Sequence, residues 1–146
     1  MDILIADPEG VSQFPEDWVF LESGISGGIY EDYLGWAVSE FGSRLALCLL
    51  PVRHRFRLPC YDGQGEYLDE GSLTALRADH PAAFSPQLCC NWCFLPAAEV
   101  LLWDDRDSLL QRLHMAETAG VAHVVINAEI QKKFRLPETG SPISVI

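Results

Sequence analysis

The chain has 146 residues, of which 21 are acidic and 10 are Lys or Arg, so its formal net charge is −11. Such a surplus of negative charge repels nucleic acid and anionic membranes, and we expect neither as a partner. The length favours one domain over residues 1–146, with an extended tail over 137–146, and a hydrophobic content of 49% is enough for a core without metal or disulfides.

The compartment follows from the chain start and the cysteines. The sequence opens MDILIADPEG, which lacks the basic segment of a signal peptide. Five cysteines, an odd number in a chain that can form its own core, are typical of a reducing compartment. We therefore predict a cytoplasmic protein.

The first third of the chain predicts a strand, a loop and a helix. The apolar run at 2–6 indicates a strand, and WVFLES (18–23) is a strand or the first turns of a helix. From Tyr30 to Phe41, apolar residues recur with helical spacing, and Glu31 and Asp32 fall in the first turn, where the helix dipole favours acids. Gly42 is placed to end this helix.

The middle third predicts two strands, 44–52 and 53–61, followed by a turn at 62–65 and a short return strand. Arg53, Arg55 and Arg57 alternate with other residues, so they share one strand face. We expect them to pair with acids such as Glu66 or Asp69 rather than with nucleic acid. Ser72 is the predicted cap of a short helix that ends before His80.

The last third predicts strands around 87–96, 99–103 and 121–126. Between them, residues 104–120 predict a helix capped by Asp104 or Asp105, with a stripe of Leu109, Leu110, Leu113 and Ala116. A short helix and the extended tail follow. Because strands and helices are interspersed without a βαβ rhythm, we predict an α+β fold, with a mostly antiparallel sheet and two or three packed helices.

Three cysteines, Cys89, Cys90 and Cys93, lie within five positions. Cys90 and Cys93 have the spacing of half a zinc site, but the chain has no second CxxC or HxxxH to supply the other ligands. On a strand the two thiols point to opposite faces. We therefore predict that the cysteines pack in the core, and we predict no metal, no cofactor and no catalytic residue.

The stretch FPEDWVFLESGISGG (14–28) resembles the opening of a family of small domains that includes many bacterial toxin-immunity proteins. Pro15, Asp17, Trp18, Gly27 and Gly28 carry the resemblance, and YDGQGEYLD (61–69) is similar to the later glycine-rich hairpin of that family. The resemblance implies a protein that binds and neutralises another protein.

The distribution of charge predicts the same kind of function. Residues 1–43 contain nine acids and no Lys or Arg. Complementary charge speeds encounter with a basic partner, and aromatic anchors hold it. We therefore predict an inhibitor that blocks a basic site on a toxin or nuclease-like protein. The predicted partner-binding residues are Glu16, Asp17, Trp18, Glu31, Asp32, Tyr33 and Trp36.

Two other classes remain open. One is a small enzyme with a cysteine nucleophile or a metal centre around Cys89–Cys93. The other is a structural or adaptor subunit.

Overall fold

A computed structural model describes residues 1–6, 14–25, 27–60 and 65–138. The helices are α1 (Tyr30–Phe41), α2 (Glu70–Arg77), α3 (Arg106–Ala119) and α4 (Ala128–Phe134). The strands are β1 (Asp2–Ala6), β2 (Val19–Glu22), β3 (Leu45–Cys48), β4 (Arg53–Arg57), β5 (Glu66–Tyr67), β6 (Ala83–Ser85), β7 (Cys90–Leu95), β8 (Glu99–Trp103) and β9 (His123–Asn127). Residues 62–64 of the predicted turn and residues 139–146 of the predicted tail lie outside these ranges.

Four strands form a parallel sheet in the order β1-β9-β3-β2. Its register pairs Leu4 with Val125 and Ala46 with His123. Helices α1 and α3 cover one face, where their apolar stripes meet the buried residues of the strands. Leu34, Leu109, Leu113, Leu47 and Val124 belong to this main core.

The other face of the parallel sheet is lined with small residues and covered by aromatic rings. Ala6, Ala46 and Val125 are buried there beneath Trp18 and Phe20. Alanine leaves room above the strands, and the large rings fill it, as close packing requires.

Five strands form an antiparallel sheet in the order β5-β4-β8-β7-β6. Helix α2 covers one face, where Leu73 packs with Cys93, Leu101 and Trp103. Phe56 and Leu102 lie in a separate cluster on the opposite face. The alternation of side chains along the strands places the two clusters on opposite sides.

The helix ends have local causes. Gly42 follows α1 with φ 55°, and Gly120 follows α3 in the left-handed region with φ 91°, a conformation that suits glycine. Asp105 is the N-cap of α3 and accepts a hydrogen bond from the Ser108 N–H at 2.8 Å. Ser72 is not the cap of α2. Asp69 takes that place, because its carboxylate accepts the N–H of Ser72 at 2.7 Å.

The predicted α+β class is confirmed. The structure divides the strands between two sheets, one parallel and one antiparallel, and its described part contains four α helices. The arginine row behaves as predicted at Arg55, which forms ion pairs with Glu66 and Glu99. Across the described ranges, no helix combines the length and the hydropathy needed to cross a bilayer.

Candidate functional site

A cleft of about 690 Å³ lies between the two sheets, and we call it the intersheet cleft. One wall comes from the parallel sheet. Glu22 ends β2, Leu50 and Pro51 follow β3, and α4, which follows β9, contributes Glu129 and Phe134. Because β2, β3 and β9 are parallel neighbours, their carboxyl ends meet at one edge. That edge is where open α/β sheets bind ligands, and the volume is typical of small-molecule pockets.

The opposite wall comes from the antiparallel sheet. Strand β4 contributes Arg53, His54 and Phe56, and β5 contributes Tyr67. The His54 ring stacks on Phe56 with centroids 5.9 Å apart, and it meets Tyr67 edge-on at 5.6 Å. Phe56 is buried, whereas 61% of Tyr67 is exposed. The cleft therefore has a continuous aromatic wall whose outer ring is open to a ligand.

Gly65 keeps this aromatic wall in place. A Cβ at Gly65 would lie 2.6 Å from Cε1 of Phe56, which is closer than two carbon atoms approach without a shift. Any side chain at this position would displace the Phe56 ring. Glycine is therefore required here for close approach rather than for backbone freedom.

The polar groups of the cleft differ in charge and in partners. Burial lowers the pKa of His54, while the Glu22 carboxylate opposes this shift, so His54 is neutral at pH 7. The Arg53 guanidinium donates a hydrogen bond to the Tyr67 hydroxyl. Lys133 Nζ pairs with Glu70 Oε2 at 3.1 Å. The cleft thus presents both donors and acceptors beside its aromatic rings.

A buried polar network reaches the lining of the cleft at Val52. Asp104 accepts hydrogen bonds from the Val52 N–H at 2.8 Å and the Ser108 hydroxyl at 2.6 Å. Its carboxylate also pairs with Arg112 Nε at 3.3 Å. Arg112 in turn donates to the backbone carbonyl of Ser23 at 2.5 Å. Ser23 directly follows Glu22, which lies on the wall from the parallel sheet. Val52 directly precedes Arg53, which lies on the opposite wall. The network therefore holds one backbone position next to each wall.

Arg112 is a site residue that no sequence motif predicted. It has no exposed surface, and its guanidinium lies 4.8 Å from the centre of the Tyr30 ring. Its spacing in the sequence could have indicated burial, because Arg112 lies three residues after Leu109 and four before Ala116, on the apolar face of α3. A charge within an apolar stripe indicates a buried partner. That partner is Asp104, one of the two residues predicted to cap α3. The other, Asp105, is the cap.

The residues predicted to bind a partner lie on opposite faces of the parallel sheet. Trp18 stacks on His123, with ring centroids 4.1 Å apart, on the face that the helices leave uncovered. Tyr33 packs on the helical side, and its hydroxyl donates to the Glu22 carbonyl at 2.8 Å. Trp36 is 52% exposed on α1. The four acids predicted to bind a partner all have exposed side chains: Glu16 and Asp17 lie before β2, and Glu31 and Asp32 lie on α1.

The three clustered cysteines lie in three different parts of the core. Cys89 belongs to the main core, Cys90 packs with Phe56, and Cys93 packs beneath α2. Burial raises the pKa of Cys89 to about 11 and that of Cys90 to about 12, so both thiols are protonated at neutral pH. Within the described ranges, no three His, Cys, Asp or Glu side chains are grouped so that they could hold a metal ion.

A second cavity, of about 600 Å³, lies on the face of the antiparallel sheet opposite α2. Its described lining contains Trp92, Phe94 and Leu58 and no charged side chain. The charged and hydrogen-bonding groups are therefore concentrated in the intersheet cleft, which is the candidate functional site.

Comparisons with known proteins relate the fold, but not the sequence, to solved structures. No family model matches the chain, and no curated protein matches it in sequence. Among solved structures, it resembles a chitinase from Chromobacterium violaceum ATCC 12472 with a TM-score of 0.54 and 13% identity, over 85% of this chain and 48% of the chitinase. It also resembles the spore cortex-lytic enzyme SleL of Bacillus cereus with a TM-score of 0.55 and 12% identity, over 92% of this chain and 40% of the enzyme.

The corresponding SleL enzyme of Bacillus megaterium QM B1551 gives a TM-score of 0.50 and 13% identity, over 75% of this chain and 30% of the enzyme. The chain therefore spans less than half the length of each of these three structures. At such low identity the likeness concerns the fold alone.

Proposed function

We propose that the protein binds a saccharide in the intersheet cleft. The observation that carries this proposal is the combination of an open aromatic ring, Tyr67, with hydrogen-bonding side chains in a cavity of ligand size. The C–H bonds on a sugar ring face suit the negative face of an aromatic ring. Sugar hydroxyls both donate and accept hydrogen bonds, which matches the mixture of Glu22, Arg53, Glu129 and Lys133 in the lining.

The fold comparison supports the same ligand class. One of the neighbours is a chitinase, and chitin is a polymer of sugar rings. The position of the cleft at the carboxyl ends of parallel strands supports a ligand-binding role independently.

The test is calorimetric titration of the protein with N-acetylglucosamine tetramers and with glucose tetramers. We expect saturable binding of at least one of them. Tyr67→Ala should weaken it about 10-fold, which corresponds to roughly 1.4 kcal/mol of lost ring contact. Phe94→Ala is the matched control, since Phe94 is a 63% exposed aromatic residue of the same sheet that lines the other cavity. Absence of binding at millimolar saccharide, or equal losses in both variants, would contradict the proposal.

A second candidate function rests on helix α1. Trp36 is 52% exposed and shares its helix with Glu31, Asp32 and Glu40, all on exposed positions. Large exposed aromatic residues serve as anchors in protein interfaces, and acids around them attract basic partners. We propose that this surface binds a basic partner protein, such as a toxin or nuclease-like protein that the chain inhibits.

This second proposal predicts separate effects on the two rate constants. With a partner isolated from the native host, Glu31→Lys combined with Asp32→Lys should slow association, and more so at low salt, where screening is weak. Trp36→Ala should speed dissociation about 10-fold or more. Glu16→Lys combined with Asp17→Lys is the control, because it changes the charge equally at the loop before β2. If the control pair slows association as much as the α1 pair, the α1 surface is not the contact.

A further inference from the structure

Arg53 in the intersheet cleft is paired with a tyrosine rather than with an acid. Its guanidinium donates a hydrogen bond to the Tyr67 hydroxyl, and the guanidinium carbon lies 5.1 Å from the centre of the Tyr67 ring. Within the described ranges, no acidic side chain forms an ion pair with Arg53. Its Nε atom is buried and has no hydrogen-bond partner there either. Among the described side chains, Tyr67 is therefore the polar partner of Arg53.

The pairing of two strands brings these side chains together. Tyr67 lies opposite His54 in the antiparallel pairing of β4 and β5, and the Arg53 carbonyl accepts the Leu68 N–H at 2.9 Å. Because β5 contains only two residues and 61% of Tyr67 is exposed, the strand by itself constrains the ring little. The contacts with the Arg53 guanidinium and with the edge-on His54 ring therefore orient Tyr67 at the cleft.

The direction of the hydrogen bond determines what Tyr67 can offer a ligand. A guanidinium has only donors, whereas a phenol hydroxyl has one hydrogen to donate and lone pairs that accept. Arg53 must therefore donate, and the Tyr67 oxygen must accept. No second hydrogen bond of this hydroxyl occurs in the part of the chain that the structure describes, so its hydrogen remains available. A hydroxyl that accepts from a cation is also a stronger donor, since linked hydrogen bonds polarise one another.

A saccharide has atoms that match this donor. Its ring oxygen and glycosidic oxygens carry no hydrogen, so they can only accept hydrogen bonds. These oxygens lie at the edge of the sugar ring whose face packs on an aromatic ring. The carboxylates of Glu22 and Glu129 in the lining are acceptors and cannot donate to them. Tyr67 is the aromatic residue of the described lining that combines an exposed ring with a hydroxyl.

We infer that Arg53 is a positioning residue of the saccharide site: through its hydrogen bond it orients the Tyr67 hydroxyl, so that the O–H donates to an acceptor oxygen of the bound sugar. Tyr67 then contributes twice, with its ring face and with its O–H. This inference rests on the proposed saccharide-binding function and specifies how the site recognises its ligand.

The experiment is a double-mutant cycle, measured by calorimetric titration with whichever of the N-acetylglucosamine and glucose tetramers binds more tightly. Tyr67→Phe keeps the ring and removes the O–H, and should weaken binding about 3-fold. Arg53→Met removes the donor to the hydroxyl and should weaken binding by about the same factor. In the Tyr67→Phe background, Arg53→Met should have no further effect, because the hydroxyl that it positions is absent. Arg53→Lys restores a donor and should bind more tightly than Arg53→Met.

Arg77→Met is the matched control. Arg77 is an exposed arginine on α2, and its guanidinium carbon lies 5.5 Å from the centre of the Trp103 ring. It thus removes the same charge from a similar contact with an aromatic ring. Arg77 belongs to the described lining of neither cavity and lies outside helix α1. The control variant should bind the tetramer as tightly as the wild type.

Several outcomes would overturn the inference while saccharide binding stands. If Arg53→Met costs as much in the Tyr67→Phe background as in the wild type, Arg53 contacts the ligand itself. If Arg53→Lys binds no better than Arg53→Met, or if Arg77→Met weakens binding equally, the donor to the hydroxyl is not the cause. Urea unfolding tests whether each variant is folded. If Arg53→Met does not fold, undiminished binding by Tyr67→Phe still overturns the inference. If the wild type binds neither tetramer, the proposed function fails, and the inference fails with it.

Discussion

Cys90 lies at the start of β7 without exposed surface, within contact of Phe56 and Leu102. Burial raises the pKa of its thiol to about 12, and the Asp104 charge acts in the same direction, while Arg112 opposes both. A thiol that stays protonated is a weak nucleophile. At the scale of the single residue, these surroundings support a packing role rather than a catalytic one.

Cys90→Ala should therefore lower the free energy of unfolding at pH 7 by about 1–3 kcal/mol, through the cavity that the missing sulfur leaves. It should leave saccharide binding unchanged. Urea unfolding and calorimetric titration measure the two effects. A folded Cys90→Ala variant that no longer binds saccharide would show that the thiol takes part in function.

The same substitution should also change the pH dependence of stability. The folded-state pKa of about 12 lies above the value of about 8.5 for an unfolded cysteine. Between these values the folded chain holds more protons than the unfolded chain, so stability falls as pH rises above about 8.5. Cys90→Ala removes this contribution, and its loss of stability between pH 8 and pH 10 should be smaller than that of the wild type.

At the scale of the element, the helices follow from local signals. Acids in the first turn and glycines after the last turn lie within a few residues of the helix they bound, as at Gly42 and Gly120. The predicted helices over Tyr30–Phe41 and 104–120 are accordingly found. The wrong cap of α2 also has a local cause, since Asp69 and Ser72 are both capping residues, and Asp69 has the longer reach and the charge.

Strands were located by the same local patterns, but their partners were not. Strand β1 at the start of the chain pairs in parallel with β9, and Asp2 lies opposite His123 in this pairing. No pattern within either strand specifies a partner that lies so far along the chain. The parallel sheet, and with it the edge that carries the intersheet cleft, could therefore not be predicted from the sequence.

At the scale of the whole molecule, Arg112 joins elements that are distant in sequence. It pairs with Asp104 at the end of β8, donates to the carbonyl of Ser23 after β2 and to that of Leu88 before β7, and contacts Tyr30 of α1. Because these bonds are buried, removing one partner leaves a charge or a carbonyl without compensation. The contacts of Arg112 thus connect both sheets with helices α1 and α3.

Arg112→Ala should cost about 3–5 kcal/mol of unfolding free energy, since it leaves the Asp104 carboxylate buried without its cation. Arg106→Ala is the control, because Arg106 is an exposed arginine at the start of the same helix. Denaturant unfolding of both variants at pH 7 measures the difference. A loss below about 0.5 kcal/mol at Arg112 would mean that the interior tolerates the unpaired carboxylate.

Part of the candidate site was accessible from the sequence. The alternation in RHRFR located the strand that carries Arg53, His54 and Phe56, and the pairing of Arg55 with Glu66 was expected. No sequence pattern predicted that Glu22, Glu129 and Lys133 belong to the site. Each is a charged residue of the kind that is common on protein surfaces. They belong to one site only because the carboxyl ends of β2 and β9 meet at the same edge of the sheet.

The sequence by itself determined the acidic charge, the positions of most helices and strands, and the burial of Cys89, Cys90 and Cys93. These properties depend on composition or on interactions between residues a few positions apart. The spacing of apolar side chains and the residue types at helix ends therefore predict them. Only the tertiary structure decided which strands pair, that Asp104 is the partner of Arg112 rather than a helix cap, and that Glu22, His54, Tyr67 and Glu129 line one cleft. The physical reason is that these contacts join residues far apart in the chain, and their energies depend on distance and burial in the folded state rather than on local sequence.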